Sequence, residues 1–192
     1  MRLFVALEIS AAVRDNLAAL LAAVRAADAA PSGRRARWVR PESLHVTLKF
    51  IGSVDARKLD EISSALSEIC CDEAVELRFR GVGFFPDHER PRVFWGGIEG
   101  SPNLPRLVTA IDAQLAKIGT PRETREFAPH LTLARFDPPG ASDKIRATAR
   151  EMAGQEFGIL RTGKFHLFES KTLPTGAQYT RLAPFAFAKT EV

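Results

Sequence analysis

Of the four histidines in this chain, two open tetrapeptides of one design, His45-Val46-Thr47-Leu48 and His130-Leu131-Thr132-Leu133. In an extended segment, side chains at i and i+2 share a face, so each tetrapeptide turns its His and Thr to one side and two apolar residues to the other. A histidine is followed by apolar-Thr-apolar by chance roughly once in a hundred cases, so two copies point to a repeated architecture. Cut near residue 90, each half reads strand, helix, strand opening on the His motif, helix, strand. Arg2 to His45 is 43 positions and His45 to Gly81 is 36, against 38 for Arg92 to His130 and 33 for His130 to Gly163. Loop length accounts for the differences. The expected organisation is one bilobal domain over residues 1–192, repeated at about 1–90 and 91–192, of the α+β class.

Helical periodicity marks four segments. The first follows Ser10, a candidate N-cap, with Val13, Leu17, Leu20, Leu21 and Val24 on one face. The second carries Leu59, Ile62, Leu66 and Ile69, and the third runs from Ser101-Pro102 through Leu104, Leu107, Ile111 and Leu115 to a stop at Gly119. A short fourth spans about Ser142 to Ala153. Strands are expected at Arg2–Glu8, Leu44–Ile51, Val75–Phe85, Arg92–Ile98, His130–Phe136, Phe157–Glu169 and Tyr179–Ala188. The segment Ala29 to Pro41, with Pro31, Gly33, Arg34, Arg35, Arg37 and Arg40, reads as an exposed basic loop.

With 192 residues, 45% of them apolar, the chain can bury a core, which excludes a disordered or fibrous class. Its 27 Lys and Arg against 23 Asp and Glu leave a net charge of +4, a modest excess suited to a phosphate-bearing partner. Cys70 and Cys71 are neighbours, which rules out a disulfide framework and favours a reducing, cytoplasmic setting. Glu8, Arg14 and Asp15 interrupt the apolar start, so no export signal is expected, and no apolar run is long enough to cross a bilayer.

Two histidines on opposite sides of one phosphorus suit metal-free opening of a cyclic phosphodiester. One imidazole takes a proton from water and the other gives one to the departing ribose oxygen. Thr47 and Thr132, each on the same strand face as its histidine, can donate to the non-bridging oxygens as charge grows on them. Neither tetrapeptide supplies a second metal ligand and Cys70-Cys71 lacks metal-site spacing, so no metal and no cofactor is expected. A duplicated polar pair is costly to bury twice, which argues against a purely structural role. No Gly-x-Ser-x-Gly signals a serine nucleophile. Trp38, Phe84, Phe85 and Trp95 are candidates for stacking on a base, with core packing as the alternative. Arg37 and its neighbours can track an RNA backbone. His88 and His166 read as structural or surface groups.

The phrases Arg2-Leu-Phe-Val-Ala-Leu-Glu8, Arg37-Trp-Val-Arg-Pro-Glu-Ser-Leu-His-Val-Thr-Leu-Lys-Phe-Ile-Gly52, Arg92-Val-Phe-Trp95, Phe127-Ala-Pro-His-Leu-Thr-Leu-Ala-Arg135 and Leu167-Phe-Glu-Ser170 resemble bacterial LigT-like RNA 2',3'-cyclic phosphodiesterases, also called 2'-5' RNA ligases, of the 2H phosphoesterase superfamily. The resemblance covers nearly the whole chain. It implies two pseudo-symmetric lobes, each with an antiparallel sheet and flanking helices, around a central groove that both His-x-Thr-x motifs face. It implies hydrolysis of 2',3'-cyclic phosphate ends of RNA, or of cyclic nucleotides, to 2'-phosphomonoesters, with the reverse direction forming a 2'-5' bond. His45 would be the acid and His130 the base, an assignment the sequence leaves exchangeable. Arg135 would add a phosphate contact, although strand parity places it on the wrong face unless the strand bends between Thr132 and Arg135. Trp38, Arg37, Lys49 and Phe84 would be the RNA or base contacts of a monomeric, cytoplasmic protein with no membrane partner. A 2H enzyme acting on another cyclic or 2'-5' linked nucleotide, and a non-catalytic RNA-end binding module, are the competing readings.

Overall fold

The computed structural model describes residues 1–27, 35–71, 73–173 and 176–187. Within them the order is β1 (Arg2–Glu8), α1 (Ala11–Ala27), β2 (Arg35–Trp38), β3 (His45–Ser53), α2 (Leu59–Ser67), β4 (Val75–Phe85), β5 (Val93–Gly100), α3 (Leu104–Lys117), β6 (His130–Asp137), α4 (Asp143–Glu151), β7 (Glu156–Thr162), β8 (Lys164–Leu173) and β9 (Gly176–Ala186). The expected helices are present, and α1 and α4 begin at Ser10 and Ser142, whose hydroxyls accept from the Val13 and Ile145 amides at 3.3 Å. Among the described residues no helix is long and apolar enough to cross a membrane. Arg34 and Ala188 lie outside the described residues.

Two expectations change. Arg35–Trp38 is a strand, not loop, because Ala36 and Trp38 pack inward while the segment pairs antiparallel with β6 at a sheet edge. The single strand expected over Phe157–Glu169 is two, β7 and β8, divided at Gly163 where the chain leaves one sheet for the other.

Both sheets are antiparallel, the first in the order β3-β1-β8-β9 and the second β2-β6-β5-β4-β7. The two orders correspond from the His-motif strand onward: in each sheet it is followed by the opening strand of the same half and then by a strand given by the other half, and the second sheet adds β2 outside β6. Thus β2 and β4 of the first half lie in the second sheet, and β8 and β9 of the second half lie in the first. The helices follow suit, α2 and α3 lying with the first sheet and α1 and α4 with the second.

Burial explains why the strands sit where they do. β1 is central and apolar on both faces: Leu3, Val5 and Leu7 enter the main core, while Phe4 and Ala6 join Phe168 in a second cluster on the opposite face. The main core is continuous through both lobes, joining Leu17 and Leu21 of α1, Ile62 and Leu66 of α2, Leu107 and Ile111 of α3, and Phe79 and Phe157 of the second sheet. Each sheet thereby keeps one face on helices and leaves the other to the groove.

Candidate active site

His45 and His130 each stand at the first residue of their strand, and β3 of the first sheet lies against β6 of the second. Their local settings match. His45 Nδ1 donates to the Ser43 carbonyl at 2.8 Å, and His130 Nδ1 donates to the Ala128 carbonyl at 2.8 Å. An Nδ1–H committed to a carbonyl two residues back fixes the tautomer of the neutral ring and leaves Nε2 bare to receive a proton.

Both strands then carry an irregularity at the same place. In β3, Thr47 pairs with Ala6 and Lys49 with Val5, so Leu48 is extra; in β6, Thr132 pairs with Trp95 and Ala134 with Phe94, so Leu133 is extra. Such a bulge puts two consecutive side chains on one face and reverses the alternation beyond it. Leu48 and Lys49 are both buried, as are Leu133 and Ala134. Phe50 and Arg135 consequently return to the face of their histidines. The irregularity that parity demanded before Arg135 is this bulge.

The same bulge removes Lys49 from the groove. Its side chain is 6% exposed, its ammonium donates to Asp112 Oδ1 at 2.5 Å and to the Pro121 carbonyl at 2.8 Å, and it is an internal strut rather than an RNA contact. Burial works to raise the Asp112 carboxyl, but the Lys49 ammonium and the Glu123 amide outweigh it and hold that group below the usual carboxylate range. Phe84 is likewise corrected. It is buried among Phe94, Phe136 and His88, because a register shift after Phe79, at Gly81 with φ of 68°, turns Phe84 inward and Phe85 outward. Trp38 is a third correction: it packs edge-on against Phe94 beneath the Arg25 guanidinium, on the core side of β2. Arg37 pairs across from Arg135 and donates to Asp137 at 2.8 Å, both partners exposed.

The residues that surround the histidines are aromatic. His45 lies 4.8 Å from Phe4 and 4.9 Å, edge to face, from Tyr179, with Phe168 at 6.2 Å. His130 meets Phe85 edge to face at 5.1 Å, and Phe85 lies 5.2 Å from Trp95. The Trp95 indole lies on Gly83, where any Cβ would sit 2.3 Å from the ring. Sequence reading does not single out Phe4, Phe168 and Tyr179, and it marks Phe50 only as the residue standing where the other half has Arg135.

Charges on the facing strand β6 reach His45. Burial pushes its imidazole below the ordinary value, the Ser43 carbonyl opposes that, and the positive charges of Arg135 and His130 add to the lowering. Burial raises the Tyr179 phenol, and Arg135 and Arg2 pull it back. The fold therefore brings His45, His130, Arg135 and Tyr179 into one electrostatic neighbourhood, with half-buried Thr47 and Thr132 beside their histidines.

The family model for LigT-like phosphoesterases matches residues 7–95 and 98–179. Similar curated proteins include the RNA 2',3'-cyclic phosphodiesterase of Methanothermobacter thermautotrophicus, 32% identical over 96% of this chain and 97% of that one. That of Archaeoglobus fulgidus is 33% identical over 96% and 99%. Among solved structures, Escherichia coli LigT in complex with 3'-AMP superposes with a TM-score of 0.75 at 27% identity, covering 97% of both chains.

Proposed function

The chain belongs to the LigT-like phosphoesterase family, and on that premise we propose that it hydrolyses the 2',3'-cyclic phosphate at an RNA end to a 2'-phosphomonoester, using His45 and His130 as acid and base. The observation that carries the reading is the matched presentation of the two imidazoles. Each has Nδ1 tied to a carbonyl two residues back, a threonine two residues on, and a bulge immediately after. The names of the curated relatives, and the nucleotide held by the E. coli neighbour, support a ribose phosphate as the substrate.

In this mechanism His130 Nε2 takes a proton from water as the water oxygen bonds to phosphorus, and the bond from phosphorus to O3' breaks as O3' takes a proton from His45 Nε2. Thr47, Thr132 and Arg135 hold the non-bridging oxygens, Arg135 through a charge-assisted contact. The environment of His45 works against its protonation. The phosphate anion, an opposite charge beside the ring, favours the imidazolium, which gives up its proton to O3' as negative charge develops on that oxygen. A 5'-hydroxyl in place of water yields a 2'-5' linkage by the same steps.

The test is turnover of nucleoside 2',3'-cyclic phosphates, and of a short RNA ending in one, in excess EDTA. The expected product is the 2'-phosphate, and His45→Ala and His130→Ala should each lower kcat by about 10² or more. Binding of the RNA end without turnover would replace this reading with a binding module, and loss of activity in EDTA with a metal mechanism.

A further inference from the structure

Packing alone does not account for the hydroxyl of Tyr179. The residue is rooted on β9, the edge strand of the first sheet, with β8 and β1 between it and β3. Its ring nevertheless lies edge to face 4.9 Å from His45 and edge to face 5.2 Å from Phe4. The side chain therefore crosses the groove floor, and its hydroxyl stands at the end of the ring away from its own backbone. Phe4 and Phe168, stacked at 5.2 Å, form the apolar bed against which the ring packs. The ring is half-buried there, yet its hydroxyl makes no hydrogen bond among the described residues and is not enclosed. Trp95 Nε1, the polar atom of the aromatic shell around His130, differs in being sealed inside.

Arg135 lies on β6 of the second sheet, and its charge acts on both His45 and the Tyr179 phenol. An oxyanion drawn to Arg135 beside His45 thus enters a space that all three groups share. Burial raises the phenol above its ordinary range although Arg135 and Arg2 oppose it, so the group keeps its proton at neutral pH and can donate it. The repeat leaves a place for such a donor. Where β6 presents Arg135 on the face of its histidine, β3 presents the exposed Phe50, which offers an oxyanion no hydrogen bond. Arg181, further along β9, is occupied with Glu8 at 3.1 and 3.2 Å. Tyr179 puts a donor on the wall that lacks the arginine.

We infer that the Tyr179 hydroxyl, reaching from the first sheet opposite Arg135, donates a hydrogen bond to a non-bridging oxygen of the phosphoryl group as charge develops there. The inference rests on the cyclic-phosphate reading of the groove. Its test is Tyr179→Phe, which keeps the ring against His45 and Phe4 and removes the hydroxyl alone. With a nucleoside 2',3'-cyclic phosphate, kcat should fall about tenfold or more with little change in KM, the pattern of a contact made chiefly in the transition state. Full activity in Tyr179→Phe, with loss in Tyr179→Leu, would reduce the residue to packing and overturn the inference. A second readout separates contact with the phosphate from an effect passed through His45. Sulfur accepts hydrogen bonds weakly, so the endo and exo diastereomers of the 2',3'-cyclic phosphorothioate each weaken contacts to one non-bridging position. Removing the hydroxyl should shrink the oxygen-to-sulfur rate ratio of one diastereomer by about fivefold and leave that of the other unchanged. Ratios that are the same in wild type and Tyr179→Phe for both diastereomers overturn the contact, even where kcat falls. If the wild type opens no cyclic phosphate, the hydrolytic reading has failed, and titration with a nucleoside 2'-phosphate decides the contact separately: weaker binding by Tyr179→Phe sustains it and equal binding overturns it.

Discussion

At the scale of single residues, the division of labour between two matched histidines turns on their surroundings. Both rings are the same tautomer, so burial and charge distinguish them, and these act on His45 to keep it neutral. If His45 is the acid, the active free enzyme needs it protonated against that tendency. Then kcat/KM decreases as pH rises through a pKa below the ordinary imidazole value near 6.5. In His130→Ala, where His45 is the one member of the catalytic pair that remains, residual activity should fall from pH 5.5 to 7.5; a rise over that range assigns His45 the base role instead. Phe50 carries a second residue-scale expectation. It is 58% exposed on the groove face, 6.2 Å from Phe4, at the place where the other sheet presents Arg135. One wall thus offers a cation for phosphate and the other a plane for a base. Stacking is worth about 1–3 kcal/mol, so Phe50→Ala should raise KM for nucleoside cyclic phosphates by at least about fivefold. Ribose 2',3'-cyclic phosphate, which has no base, should be unaffected in the same assay.

Among the elements, β3 and β6 show where sequence reading succeeds and where it stops. The His-x-Thr-x faces followed from a period of two, and Arg135 could be returned to its face because the parity conflict was visible. Lys49 could not be placed the same way, since nothing local states that Leu48 is the extra residue; only pairing with β1 reveals it. Phe84 and Phe85 posed the same problem, solved in the fold by the shift at Gly81. β2 escaped notice because four arginines and a proline-glycine stretch suggested solvent, whereas the strand is specified by its neighbour β6. The correction to Lys49 has an energetic consequence. Removing one member of a buried ion pair leaves the other uncompensated, at about 3–5 kcal/mol. Lys49→Ala should therefore lower the urea midpoint markedly, and the double variant Lys49→Met, Asp112→Leu should recover much of the loss. A stable Lys49→Ala with weakened RNA binding would return Lys49 to the groove.

For the whole molecule, the halves that look like repeats in the sequence are not the units that fold. Each sheet is completed by strands from the other half and each is covered by one helix from each half. The order of elements within each half was legible from periodicity; their exchange was not, because it depends on hydrogen bonds between segments far apart in the chain. Fragments 1–88 and 89–192, cut in the exposed turn before β5, should lack cooperative unfolding when alone and regain it when refolded together. Cooperative folding of either fragment alone would show that the exchange is dispensable. The exchanged strands also bear on how the groove measures what enters it. Two lobes joined by a single tether can swing; two lobes laced through each other's ladders cannot part without breaking the lacing. The gap between β3 and β6 therefore behaves as a fixed gauge, set when the chain folds, and discrimination at the phosphorus becomes a matter of what fits between two stationary walls.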